Sequence, residues 1–243
     1  MMYQKVFNQK GFQSGQSLTE YLIVMPIFFA LLFGIFEFAY IYRAKTTLNT
    51  ATFETARAGA LNNAQLIPMR EALIKGMIPL RMQGEANSIQ MLKSYGLTKA
   101  EEFALNKISK TVTIVSPTKA IFNKFKVQRK TTLVNDSRDI QRWVIPNDNL
   151  LLRSNHQETI DGKKLNIQDA NILKIKTLWC YQLKVPILRE LLVDSLSSGF
   201  LGQTSPEQLA CNQMARLGDP RLAIVSQATI RMQSHIVSDG NLK

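Results

Sequence analysis

Apolar and polar positions follow three successive regimes along this chain. From Leu22 to Tyr42 the residues are almost continuously apolar, with Pro26, Gly34 and Glu37 as the main interruptions. A helix over those 21 residues covers roughly 31 Å, about the hydrocarbon thickness of a bilayer. One membrane span over about 21–42 is therefore predicted. A cleavable secretory signal fits less well, since its apolar core runs about 7–15 residues with an Ala-x-Ala site close behind. The first such site, Ala56-Arg57-Ala58, lies beyond Arg43 and Lys45. Pro26 removes the bond to the Leu22 carbonyl, which predicts a kink near that turn. Glu37 has two readings: an interfacial carboxylate within reach of Tyr40, Tyr42 or Arg43, or a contact with a partner helix.

Beyond Tyr42 the pattern turns helical. Ala44, Leu48, Ala51, Thr55 and Ala58 recur at steps of 4, 3, 4 and 3, a single seam of mostly small side chains that continues the same helix. Small seams permit close helix approach, either onto the chain's own domain or onto neighbouring subunits as well. Residues 64 to 108 read as two or three further helices, with Leu66, Met69, Leu73, Met77 and Leu80 as apolar positions and breaks near Pro68, Pro79, Gly84 and Gly96.

In the third regime the period shortens. Thr111 to Val115 is β-branched and ends before Pro117, a strand signature. A second strand is predicted from Ile172 to about Val185, where Leu173 and Ile175 alternate with Lys174 and Lys176. A third runs from Leu222 to Met232, with Leu222, Ile224, Ala228, Ile230 and Met232 on one face. Pro186 to Gly218 reads as two helices around a turn at Gly199-Phe200-Leu201-Gly202. The fold class is α+β: a long N-terminal helix, then several helices packed on a small, mainly three-stranded antiparallel sheet.

The formal charge of +12 lies almost wholly after the apolar run. Such a surface favours polyanions, but no basic run is interleaved with aromatics as a single-strand nucleic-acid platform requires. The densest cluster, Lys119 to Lys130, contains only Phe122 and Phe125 as aromatics, and a solvated basic face is the reading adopted, with no specific nucleic-acid partner. Cys180 and Cys211 are the two cysteines, an even number consistent with a bridge in an oxidising compartment. Closing a loop of that size contributes on the order of 3–4 kcal/mol in the chain-entropy model. Only His156 and His235 are available as imidazoles, and neither stands at ligand spacing from a cysteine, so no metal and no cofactor is expected. Asp136, Asp139, Asp148 and Asp161 are scattered through polar turns and read as turn and cap residues. Ser116-Pro-Thr-Lys119 has the Ser-x-x-Lys spacing of acylating serine enzymes, yet no Ser-Asp-Asn or Lys-Thr-Gly companion appears. No Gly-rich phosphate loop or His-centred triad stands out, and no enzyme activity is expected.

The most telling residues stand at the mouth of the apolar run. Gly15-Gln-Ser-Leu-Thr-Glu20-Tyr21 follows a short leader bearing Lys5 and Lys10. Ser17-x-x-Glu20 is also a capping box, which accounts for a helix start but not for the glycine or the basic leader. The stretch resembles the processing site of type IV-like prepilins of the tight-adherence (Tad, Flp-type) branch, where the peptidase cuts after a glycine followed by four residues and Glu-Tyr. Phe33-Gly-Ile-Phe-Glu37-Phe38 through Ala56-Arg-Ala-Gly-Ala60 further resembles the signature helix of TadE-like minor pilins. Segments 145–150, 167–174, 181–186 and 228–232 look like parts of the same group, although Gln233 and Ser234 replace the acidic residue usual after the last strand.

The resemblance implies a leader at 1–15 cut between Gly15 and Gln16, a helix over 16–63 and an extracytoplasmic pilin-like domain over 64–243. Glu20 and Tyr21 would act in assembly, Glu20 by pairing with the new α-amino group of a neighbouring subunit. Implied partners are a prepilin peptidase, other pilin and minor-pilin subunits, and the inner-membrane assembly platform. Charge alone does not orient the span, because Lys5 and Lys10 face Arg43 and Lys45 across it. The resemblance places the leader in the cytoplasm, at the bacterial inner membrane. The resulting expectation is a structural minor pilin or pseudopilin in pilus biogenesis and adhesion. The alternative is a membrane-anchored component of another secretion or conjugation machine.

Overall fold

The structure is a computed structural model, and it describes residues 16–82, 87–134, 136–185, 205–215 and 219–242. Gly15 and the leader, the break anticipated at Gly84, and the turn at Gly199–Gly202 with the rest of 186–204 lie outside the described residues.

Helix α1, Gln16–Leu61, is continuous through Pro26. Its first half has little packed against it, and its second half forms the spine of the core. Ala44, Leu48, Ala51 and Thr55 are fully buried. Helix α2, Leu66–Met77, lies against this spine, burying Met69, Leu73, Ile74 and Met77. Contact is close because both helices are small there: a Cβ on Gly76 would stand 2.6 Å from the Ala51 Cβ, and one on Gly59 2.9 Å from the Met69 sulfur. Pro68 does not break α2; it sits in the first turn, where a missing N–H costs nothing. A 3-10 turn, Ile78–Leu80, carries Pro79. Helix α3, Ser88–Ile108, is capped by the Asn87 side chain and passes through Gly96 without ending.

Strand β1, Val112–Ser116, leads into the short helix α4, Lys119–Phe125, capped by Thr118. Lys119 of the Ser-x-x-Lys spacing therefore opens a helix, while Ser116 closes a strand. Strands β2, Val127–Leu133, and β3, Asp136–Ile145, form a hairpin. Next come β4, Glu158–Ile160, β5, Lys163–Leu165, and the short helix α5, Ile167–Ala170, which carries a capping box of Asn166 and Asp169. The long strand β6, Ile172–Gln182, is followed among the described residues by helix α6, Pro206–Ala215, then β7, Arg221–Arg231, and β8, Ile236–Val237.

The principal sheet has the order β1-β6-β7 and is antiparallel, with Ile175 opposite Ile114 on one side and Ala228 on the other. Strand β6 explains its own sequence. Leu173, Ile175, Trp179, Tyr181 and Leu183 face the α1–α2 core, whereas Leu178 and Cys180 join Leu105, Ala210, Cys211 and Met214 in a second core under α3 and α6. A strand covered on both faces reads as a mixed apolar run rather than a clean alternation. The protein is α+β, with the small three-stranded antiparallel sheet the pattern predicts. Two further sheets, β2-β3-β8 and β4-β5, were not foreseen. In β2 only Leu133 is buried, and Gln128, Arg129 and Lys130 are exposed. The basic cluster thus lies on the solvent side of α4 and β2, and its polarity hid the strand.

Candidate functional site

Helix α1 carries the candidate site along its length. From Tyr21 to Tyr42 nearly every large apolar side chain is exposed: Leu22, Ile23, Phe28, Leu31, Ile35 and Phe38 among them. Along the outside of the helix the Phe29 ring meets those of Phe28 and Phe33. The apolar stretch has a mean hydropathy of 2.4 and is long enough to cross a bilayer, while only 6% of it is covered by the rest of the protein. An apolar surface of that extent needs a covering medium, and a bilayer supplies one; the helix anchors the chain as a single pass. Glu20 and Tyr21 are exposed at its outer end.

Glu37 marks where the exposed half of α1 meets the domain. It is 1% exposed despite standing in an apolar run. Among the described residues no hydrogen bond joins its carboxylate to Tyr40, Tyr42 or Arg43. Both oxygens accept from the Lys184 backbone N–H at 3.1 Å, and Oε2 accepts from the Val185 N–H at 2.7 Å. These two residues follow β6, so the carboxylate satisfies donors that the ended strand leaves free. The phenol of Tyr181 lies beside this contact. Burial pushes it from 10.0 up to about 12, with Glu37 and Tyr40 adding and Arg43 opposing.

Further out, α1 meets the sheet through polar rungs. Lys45 donates to the Val225 carbonyl, Ser226 to Asn49 at 2.9 Å, and the Thr52 and Thr177 hydroxyls lie 2.6 Å apart. At its far end, the Ala60 carbonyl accepts from the Gln233 and Ser234 N–H groups and the Ser234 hydroxyl, and Ser234 Oγ accepts from the Asn63 N–H. Ser234, which departs from the acidic residue of the resemblance, thus ties down the end of the helix. The small seam packs on the chain's own domain: Ala44, Leu48, Ala51 and Thr55 are buried there and Ala58 is half-buried. Phe53, Glu54, Arg57 and Leu61 face outward instead.

Other elements hold this frame. Cys180 of β6 and Cys211 of α6, 31 positions apart in sequence, are joined by a disulfide with Cα atoms 5.4 Å apart. Glu102 of α3 is buried and pairs bidentately with Arg70 of α2 at 2.6 and 2.7 Å, and it also accepts from Thr111. That contact raises the Arg70 pKa, chiefly through the hydrogen bond. The segments 145–150 and 167–174 meet in space. The Asn171 amide donates to the Pro146 and Ile167 carbonyls, and Gln168 donates to the Leu150 carbonyl.

Sequence reasoning placed Glu37 on α1 but missed its partners, because backbone N–H groups 147 positions away leave no trace in a local pattern. The usable signal was general: a carboxylate inside apolar sequence needs donors.

A single-pass α+β protein whose exposed membrane helix continues as the spine of its own head is the class these features define. Residues 15–57 match the family model described as TadE-like protein, a likeness confined to the anchor and the first part of the spine and consistent with a TadE-like pilin of the Tad system. The match ends before the segments at 145–150, 167–174, 181–186 and 228–232, and their likeness to the group is not carried by it. The chain matches no curated protein and no solved structure.

Proposed function

We propose that this protein is a structural minor pilin or pseudopilin of a Tad-type apparatus, acting in pilus biogenesis and adhesion rather than in catalysis. One observation supports this most: α1 is at once an uncovered apolar helix from Tyr21 to Phe36 and a core helix from Glu37 onward. A removable anchor needs no such continuity. A subunit that carries its head on a shared helical stem does. In this reading the leader is cytoplasmic, a prepilin peptidase cuts between Gly15 and Gln16, and residues after about 43 are extracytoplasmic at the bacterial inner membrane. Its partners are other pilin and minor-pilin subunits and the assembly platform.

Glu20 has a defined part in this scheme. It is exposed at the mouth of the span, where an α-amino group of a neighbouring subunit lowers the cost of holding a carboxylate beside hydrocarbon. Removing a carboxylate makes the segment easier to insert. Glu20→Ala is therefore expected to stay membrane-bound while its cross-linking to co-expressed pilus subunits falls to background. Cross-linking equal to the wild type would remove the charge-pairing role.

A further inference from the structure

We propose that the membrane-proximal end of the head binds the headgroup of an anionic phospholipid through Arg43 and Lys184, beside a cleft rimmed by Arg81. The inference rests on the reading of α1 as a membrane span. Glu20 and Glu37 are separated by roughly 26 Å of helix, so Glu37 falls at the boundary between hydrocarbon and headgroups. Its hydrogen bonds to the Lys184 and Val185 backbone fix those residues at the same depth. Arg43 follows on the same helix and donates to the Pro79 carbonyl at 3.4 Å.

The other strand end confirms the level. Lys45 reaches Val225, and Arg221 lies four residues back toward the membrane along β7, about 13 Å lower. Arg221 and Arg81 share Glu101. Between these groups opens a cleft of about 130 Å³, with Leu80, Leu97 and Tyr181 among its walls and Arg81, Glu101 and Lys184 at its polar edge.

Among the described residues the carboxylates at this end are Glu37, Glu101 and Asp219. Glu37 is taken up by backbone N–H groups, Glu101 by two arginines, and Asp219 accepts from Gln182. Arg43 and Lys184 are exposed, and among the described residues neither has a carboxylate within ion-pair distance. Lys184 lines the cleft and Arg43 acts on the phenol of Tyr181 in its wall, so two cations distant in sequence border one apolar cleft near headgroup depth, which suits a phosphodiester attached to acyl chains. Cations near an anionic bilayer surface each add about a few-fold in affinity.

The test uses the full-length protein in phosphatidylcholine vesicles doped with spin-labelled phosphatidylglycerol or spin-labelled phosphatidylcholine. Wild type is expected to immobilise the glycerol lipid several-fold more strongly, and Arg43→Gln/Lys184→Gln to bring the ratio near one. Lys130→Gln, on the exposed strand β2, serves as the charge control and should leave the ratio unchanged. Equal immobilisation of both lipids by wild type, or an unaltered ratio in the double variant, would overturn the proposal. Displacement of the label by millimolar inorganic phosphate would also overturn it, by assigning the site to a soluble anion. Flotation of the vesicles is read in parallel: protein left in the soluble fraction indicts the membrane reading itself, whereas floated protein without lipid preference indicts only this inference.

Discussion

Glu37 shows how a single residue can join a membrane helix to a folded head. A carboxylate in apolar sequence is costly unless donors surround it, and here three backbone hydrogen bonds do so. Glu37→Ala would leave the Lys184 and Val185 N–H groups without their partner in a part-buried place, at a cost on the order of 1–3 kcal/mol. The full-length protein in detergent should then melt lower and be cleaved sooner by trypsin after Lys184; unchanged melting and cleavage would show that the latch is dispensable. Tyr181 gives a pH signature of the same region. Its folded-state pKa is raised above the ordinary 10.0 to about 12, because burial disfavours the phenolate. The stability tied to its neutral form is fully present below pH 10 and is lost as pH rises toward about 12. Tyr181→Phe should flatten that alkaline loss in a melting-against-pH series, and a wild-type curve already flat over this window would contradict the burial argument.

Elements were legible where one face is apolar and hidden where polarity surrounds them. The seam Ala44, Leu48, Ala51, Thr55 and the strand pattern of Leu173 and Ile175 gave α1 and β6 directly, since both pack into the main core. The β2–β3 hairpin escaped because its small core is made of little more than Leu133, Val144 and Val237. Pro68 and Gly96 did not act as breakers: one occupies a first turn and the other stands where nothing lies within 4 Å. Gly76 is the opposite case, pressed against Ala51, and its replacement has a clear cost. Gly76→Val should separate α2 from α1 and destabilise the protein by roughly 1–3 kcal/mol, read as a lower melting temperature, whereas Gly96→Ala should be neutral or stabilising. The disulfide between β6 and α6 makes a second element-scale prediction. Cys211→Ser should lower the melting temperature by an amount equivalent to about 3–4 kcal/mol, and reductant should do the same to wild type but nothing further to the variant. Two alkylatable thiols in unreduced, periplasmically expressed protein would contradict the bridge.

At the scale of the whole molecule, the chain is a head built around the continuation of its own anchor. The anchor was readable in the sequence because a bilayer imposes length and apolarity on a local stretch. The attachment of head to anchor was not, because it depends on contacts between α1 and residues 177–185 and 225–234 that only the fold brings together. The central claim is that this stem is a prepilin-type helix, released from a leader and then used for assembly. Sequencing the N-terminus of the protein purified from cells with and without its cognate prepilin peptidase tests that claim most directly. A start at Gln16 only when the peptidase is present, abolished by Gly15→Val, is the result predicted. An identical, uncleaved N-terminus in both strains and in the variant would contradict it.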